Sequence, residues 1–104
     1  AFAPDVTQVP AAADVAGRFS EQYGEFGTFG PPVYVATQSI MQAAQAACEA
    51  GSLDRAGVLT EMSNVVITDS ILGGDIEFTE TGDVDGARFY IFMVDEAGSP
   101  QLVQ

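Results

Sequence analysis

Residues 73–94 do more than any other stretch to limit what this chain can fold into. Ile76 and Phe78 alternate with Asp75, Glu77 and Thr79, the period-two pattern of a strand with one face buried. Gly82 and Gly86 then mark a turn, and residues 89–94 form an almost unbroken apolar run, closed by Asp95-Glu96-Ala97-Gly98. A run of that kind suits a strand covered on both faces. Ser99-Pro100-Gln101-Leu102-Val103 is expected to return from that second turn as the other half of a hairpin.

Three helices are expected ahead of these strands, over residues 12–23, 34–50 and 53–63. In the first, Ala12, Val15, Ala16 and Phe19 recur at helical spacing, Asp14 sits near the positive end of the helix dipole, and Gly24 ends the segment. The second follows the Pro31-Pro32 pair and stops at Gly51, with Val33, Ala36, Ile40, Ala43, Ala44 and Ala47 predicted on its packed face. Ser52 is the natural N-cap of the third, where Leu53, Ala56, Leu59 and Met62 form an apolar row. Val65-Val66-Ile67 reads as a short extended segment and Thr68-Asp69-Ser70 as a turn. The fold class is therefore α/β: about three helices with a small, mostly antiparallel sheet from residues 76–78, 89–94 and 102–103, all in one unit spanning 1–104.

Composition removes several classes of function. The chain has 104 residues, a net charge of −12, no lysine and no histidine. Such a surface repels nucleic acid, whose affinity for proteins comes largely from Lys and Arg at phosphates. An apolar fraction of 47% argues for a packed chain over a disordered one. No stretch approaches the roughly 18 apolar residues of a membrane span. The single Cys48 has no internal disulfide partner and, within an alanine-rich helix, is expected to be a small buried residue.

Without histidine the commonest general base is missing, and no Ser–His or Cys–His pair can form within the chain. The glycines of residues 24–30 lack the spacing and the following lysine of a phosphate cradle. Asp75, Glu77, Glu80, Asp83 and Asp85 are close in sequence. An EF-hand alignment on Gly86 nevertheless puts Thr81 at the first ligand and Phe92 where a bidentate glutamate belongs. These acids are expected to face solvent, with Arg88 pairing with one of them. Neither a catalytic centre, a metal site nor a cofactor is expected.

The residues Phe78, Gly82, Asp83, Gly86, Ala87, Arg88, Phe89 and Tyr90, near the end of the chain, resemble the closing segment of the branched-chain amino-acid type substrate-binding proteins of ABC transporters. The resemblance extends over most of the chain, from Gln8-Val9-Pro10 through the helices to the final hairpin, and implies the last third of a type I periplasmic-binding fold. The family's Tyr-Asp-Ala step near the start of the long helix is here Thr37-Gln38-Ser39. The family likeness implies a C-terminal portion of an extracytoplasmic solute receptor for amino acids or amides that works with a membrane permease. It also implies that most ligand-holding groups lie in earlier segments, leaving Pro32, Val33 and Tyr34 as candidates for contact with a ligand. The alternative is an independent acidic interaction domain without a small-molecule ligand. Either way, helix faces and strands that lack their partners lead us to expect a homo-oligomer of the isolated chain.

Overall fold

Each helix begins and ends where local chemistry requires. The computed structural model describes residues 9–86 and 91–103. A 3-10 turn, Pro10–Ala12, leads into α1, Ala13–Tyr23, which stops at Gly24, a position with φ of 85° that favours glycine. Asp14 and Arg18 form an i,i+4 ion pair at 2.8 Å; both side chains are well exposed, so the pair contributes about 0–1 kcal/mol at most. Helix α2, Gly30–Glu49, starts four residues ahead of the expected 34, with Pro31 and Pro32 inside its first turn, and ends in a Schellman motif: the Gly51 N–H donates to Cys48 C=O and the Ser52 N–H to Ala47 C=O, with Gly51 at φ 72°.

That motif corrects one expectation. Ser52 is already used to close α2, so it does not cap the next helix. Asp54 takes that place, in an extended conformation, and its Oδ1 accepts from the Gly57 N–H at 2.8 Å. Helix α3 accordingly runs Arg55–Met62, two residues later than expected at its start.

The packed face of α2 also differs from the expected one. Pro31, Val35, Ser39, Ala43 and Ala47 are buried, a row of every fourth residue. Ala43 and Ala47 belong to the expected set, but Val33, Ala36 and Ile40 are exposed, Val33 by 62% and Ile40 by 56%. The buried Ser39 hydroxyl donates to Val35 C=O at 3.0 Å, so its polarity is satisfied within its own helix. The apolar row expected for the third helix is likewise open: Leu53, which lies ahead of α3, Ala56 and Leu59 are exposed and only Met62 is half-buried. Cys48 is exposed as well, against the expectation of burial.

Among the described residues the strands form two separate two-stranded antiparallel sheets rather than one. In the first, β1 (Ile67–Ser70) pairs with β2 (Gly74–Ile76), Ile67 opposite Ile76 and Ser70 opposite Gly74, with one extra residue on β1. Thr68-Asp69-Ser70 is thus strand, and the turn lies one step later, closed by the Gly73 N–H to Ser70 C=O and the Leu72 N–H to Ser70 Oγ. At the irregularity Asp69 has φ of 48°, and its N–H is taken by Asp75 Oδ1 at 2.9 Å. In the second sheet β3 (Phe92–Val94) pairs with β4 (Pro100–Leu102), as expected for the closing hairpin. The expected positions 89 and 90 of that strand, like the Arg88 ion pair and residues 1–8, lie outside the described residues.

The turn of this hairpin is built on Asp95. Its backbone accepts from Gly98 and donates to Ser99, while its carboxylate accepts from the N–H groups of Ala97 and Ser99 and from the Gln101 amide. Gly98, at φ 81°, supplies the left-handed position of a three-residue hairpin loop. The Ser99 N–H above all, then the Gln101 and Ala97 bonds, hold the Asp95 carboxyl below its ordinary value.

Val9, Ala12, Val35 and Ile71 form the principal core cluster, with Val15, Phe26, Leu72 and Ile76 packed around it. It lies where the lead-in turn, the first half of α2 and the β1–β2 turn meet. Beyond it the chain is elongated, 56 × 32 × 18 Å, with a radius of gyration of 16.0 Å against about 13 Å for a globule of this length. The strand expected to be covered on both faces is not: Ile91, Met93 and Val94 are all more than half exposed.

Candidate functional site

Two concave surfaces among the described residues bear on the candidate residues. The first is aromatic and lies at the α1–α2 connection. At the end of α1, Phe19 is one turn from Tyr23, ring centroids 5.1 Å apart, and the Phe26 ring stacks on Phe19 at 4.6 Å. Gly30 lets α2 start directly against this stack, since a Cβ there would lie 2.7 Å from Phe26 Cε2. The resulting cavity, of about 540 Å³, is lined by Val15, Phe19, Phe26, Phe29, Val33 and Tyr34 with the intervening small residues.

Two of the three candidate contact residues, Val33 and Tyr34, therefore share one wall of this cavity. Pro32 is half-buried in the first turn of α2 and does not line it. No charged residue borders the cavity. It suits an apolar or aromatic group and offers no partner for the carboxylate and ammonium of a free amino acid, whose charges are costly to leave unpaired. Phe19, Phe26 and Phe29 are not legible as site residues in the sequence: Phe19 carries the helical period of α1 and reads as a packed position, and Phe26 and Phe29 sit in a connection without periodicity.

The second surface is acidic. A groove of about 800 Å³ runs between the lead-in turn, the β1–β2 sheet and Leu102, and four acidic residues, Asp69, Asp75, Glu77 and Asp85, line it. Three of these, Asp75, Glu77 and Asp85, belong to the acid-rich stretch read from the sequence, and Asp69 joins them through the irregularity in β1. Glu80 and Asp83 lie elsewhere, in the tip of a narrow hairpin. There Phe78 bridges Val84, the Asp85 N–H donates to Glu77 C=O, and the Thr79 N–H donates to Asp83 C=O.

The tip is tied by its own side chains. Thr81 donates to Asp83 Oδ2 at 3.0 Å, which leaves Thr79 to donate to Thr81 at 2.9 Å while accepting from the Asp83 N–H at 3.1 Å. One Asp83 carboxylate oxygen is thus held by a hydroxyl of the tip itself. Among the described residues no three carboxylate or thiol groups gather closely enough to hold a metal ion. In comparisons with known proteins, no family model matches the chain and no curated protein matches it.

Proposed function

We propose that the chain is the C-terminal portion of a solute-binding component of an ABC uptake system for amino acids or amides, and that it acts by binding and without catalysis. The observation that carries this reading is the set of apolar side chains left open on the helical layer. Val33 and Ile40 on α2, Leu53 just ahead of α3 and Leu59 on α3 are all more than half exposed, as expected of helices shaped to cover a sheet supplied by other sequence. The order of three helices followed by a closing hairpin agrees with the last third of such a receptor.

In this reading the aromatic cavity beside Val33 and Tyr34 is one wall of the ligand cleft, and the groups that hold the ligand's charges belong to the preceding lobe. The full receptor would be extracytoplasmic and would present a closed, loaded form to a membrane permease. Calorimetric titration with leucine, isoleucine, valine and their amides tests it in two arms. The 104-residue chain should give no saturable heat, and the longer polypeptide encoded in frame upstream should give a stoichiometric one. An upstream frame without a first lobe would overturn the reading and favour the alternative of an independent acidic interaction domain.

A further inference from the structure

Between Glu25 and Glu49 the sequence contains no charged residue at all, in a chain of net charge −12. Most of that interval is α2, a helix about 30 Å long. One side of α2 is packed; the other presents Val33, Ile40 and Met41 at 56–67% exposure, with Thr37, Ala36 and Cys48 also exposed. A helix face that meets only water ordinarily carries charge. Loss of charge together with exposed Met and aliphatic side chains is instead the composition of an interface centre. No helix among the described residues is long and apolar enough to cross a membrane.

We infer that this face of α2 is a self-association surface, through which two copies of the chain pair with their α2 helices antiparallel. The charge distribution selects a second copy. A basic partner would be drawn to the carboxylate-lined groove rather than to a neutral helix, whereas two neutral faces bring no like charges into the seam. It also selects the orientation. The only charge on α2 is Glu49, at its C-terminal end, and its first turn has neither an acidic residue nor a side-chain cap. Parallel helices would set one Glu49 beside the other; antiparallel helices set each near the uncapped, positive end of its partner. The contact is isologous and closes on a two-fold axis near Ile40 and Met41, the middle of the helix.

A seam one helix long falls among the smaller specific interfaces, under about 1,200 Å² in total, so pairing is reversible and depends on concentration. Salt strengthens it by screening the repulsion between two acidic chains. The inference concerns this chain by itself and does not rest on the solute-receptor reading.

Light scattering behind size exclusion, across protein concentration at low and high salt, should show the mass rising toward twice 10.9 kDa, and more readily at high salt. Ile40→Glu should remain a monomer with unchanged helical circular dichroism, while Thr68→Glu, which adds the same charge at an exposed position off the seam, should pair like the parent chain. Under mild oxidation Met41→Cys in a Cys48→Ser background should cross-link. The native Cys48 should not, because antiparallel pairing holds the two thiols about 20 Å apart. A monomer under all conditions, a dimer that survives Ile40→Glu, or cross-linking through Cys48 in place of position 41 would each overturn the inference.

Discussion

Gly57 and Gly17 are both helical glycines, and replacing each by alanine should move stability in opposite directions. At Gly17, in the middle of α1, a Cβ would meet nothing within 4 Å. Alanine there gains its helix propensity, about 0.8–1.0 kcal/mol. At Gly57 the same gain is opposed by the Ser52 carbonyl oxygen, which a Cβ would overlap, with the Ser52 carbonyl carbon and Oγ both at 3.0 Å. That carbonyl cannot simply swing away. It accepts from the Asp54 N–H at 2.7 Å, and the Ser52 N–H is fixed to Ala47 at the end of α2. Overpacking of this kind costs about 1–3 kcal/mol. If α3 moves to relieve it, the Asp54 cap is strained as well, at up to about 1 kcal/mol.

The net expectation is a loss of about 1–2 kcal/mol for Gly57→Ala against a gain approaching about 1 kcal/mol for Gly17→Ala. At about 4–8 °C per kcal/mol for a chain of this size, thermal melts followed by circular dichroism should fall by ~5–15 °C in the first case and rise by ~4–8 °C in the second. Equal stabilisation by both substitutions would refute the close approach of α3 to the end of α2.

The Asp95 carboxyl is held below its unfolded value near 3.8, so its contribution to the β3–β4 turn is fully present above that pH and is lost as pH falls through the lower folded value. An NMR titration of the Ser99 and Ala97 amides should show a midpoint below 3.8, and one at or above 3.8 would contradict the hydrogen-bonded turn. Cys48 is exposed and should react stoichiometrically with a thiol reagent in the native chain, without the lag that an opening step imposes; protection until denaturant is added would restore the expectation of burial.

Much of the helical layer is legible in the sequence because its signals are local. Gly24 and Gly51 stop helices through left-handed backbone, so those limits can be read without tertiary information; the start of α2 is misread by four residues, because both prolines fit inside a first helical turn, where no N–H partner is needed. The third helix start is misread because two good capping residues, Ser52 and Asp54, stand two positions apart, and only the way α2 ends decides between them. The strands fare worse for a similar reason. Period-two alternation marks Ile76 as strand but does not name its partner, and β1 hides in Thr68-Asp69-Ser70, whose composition is that of a turn. Of the candidate contact residues, Val33 and Tyr34 share the aromatic cavity; opposite them Phe19 reads only as a packed helical position, and Phe26 and Phe29 come from a connection without periodicity.

The face of α2 is the instructive failure, and it leads to a test on the core itself. Two rows compete along this helix. One, containing Val33 and Ile40, is the more apolar; the other, Pro31-Val35-Ser39-Ala43-Ala47, is the smaller. The fold buries the smaller, because small side chains let α2 approach the neighbouring elements closely, and Ser39 is no obstacle once its hydroxyl is bonded to Val35. The usual ranking of core substitutions should therefore invert. Ile40→Ala, which costs about 2–5 kcal/mol in a packed core, should cost less than about 0.5 kcal/mol here, at concentrations where the chain is monomeric. Ala43→Leu, at a position with no accessible surface, should cost about 1–3 kcal/mol through overpacking. Urea unfolding of both variants decides the matter: a large loss from Ile40→Ala with little from Ala43→Leu would mean that α2 is rotated about its axis, with its apolar row turned inward.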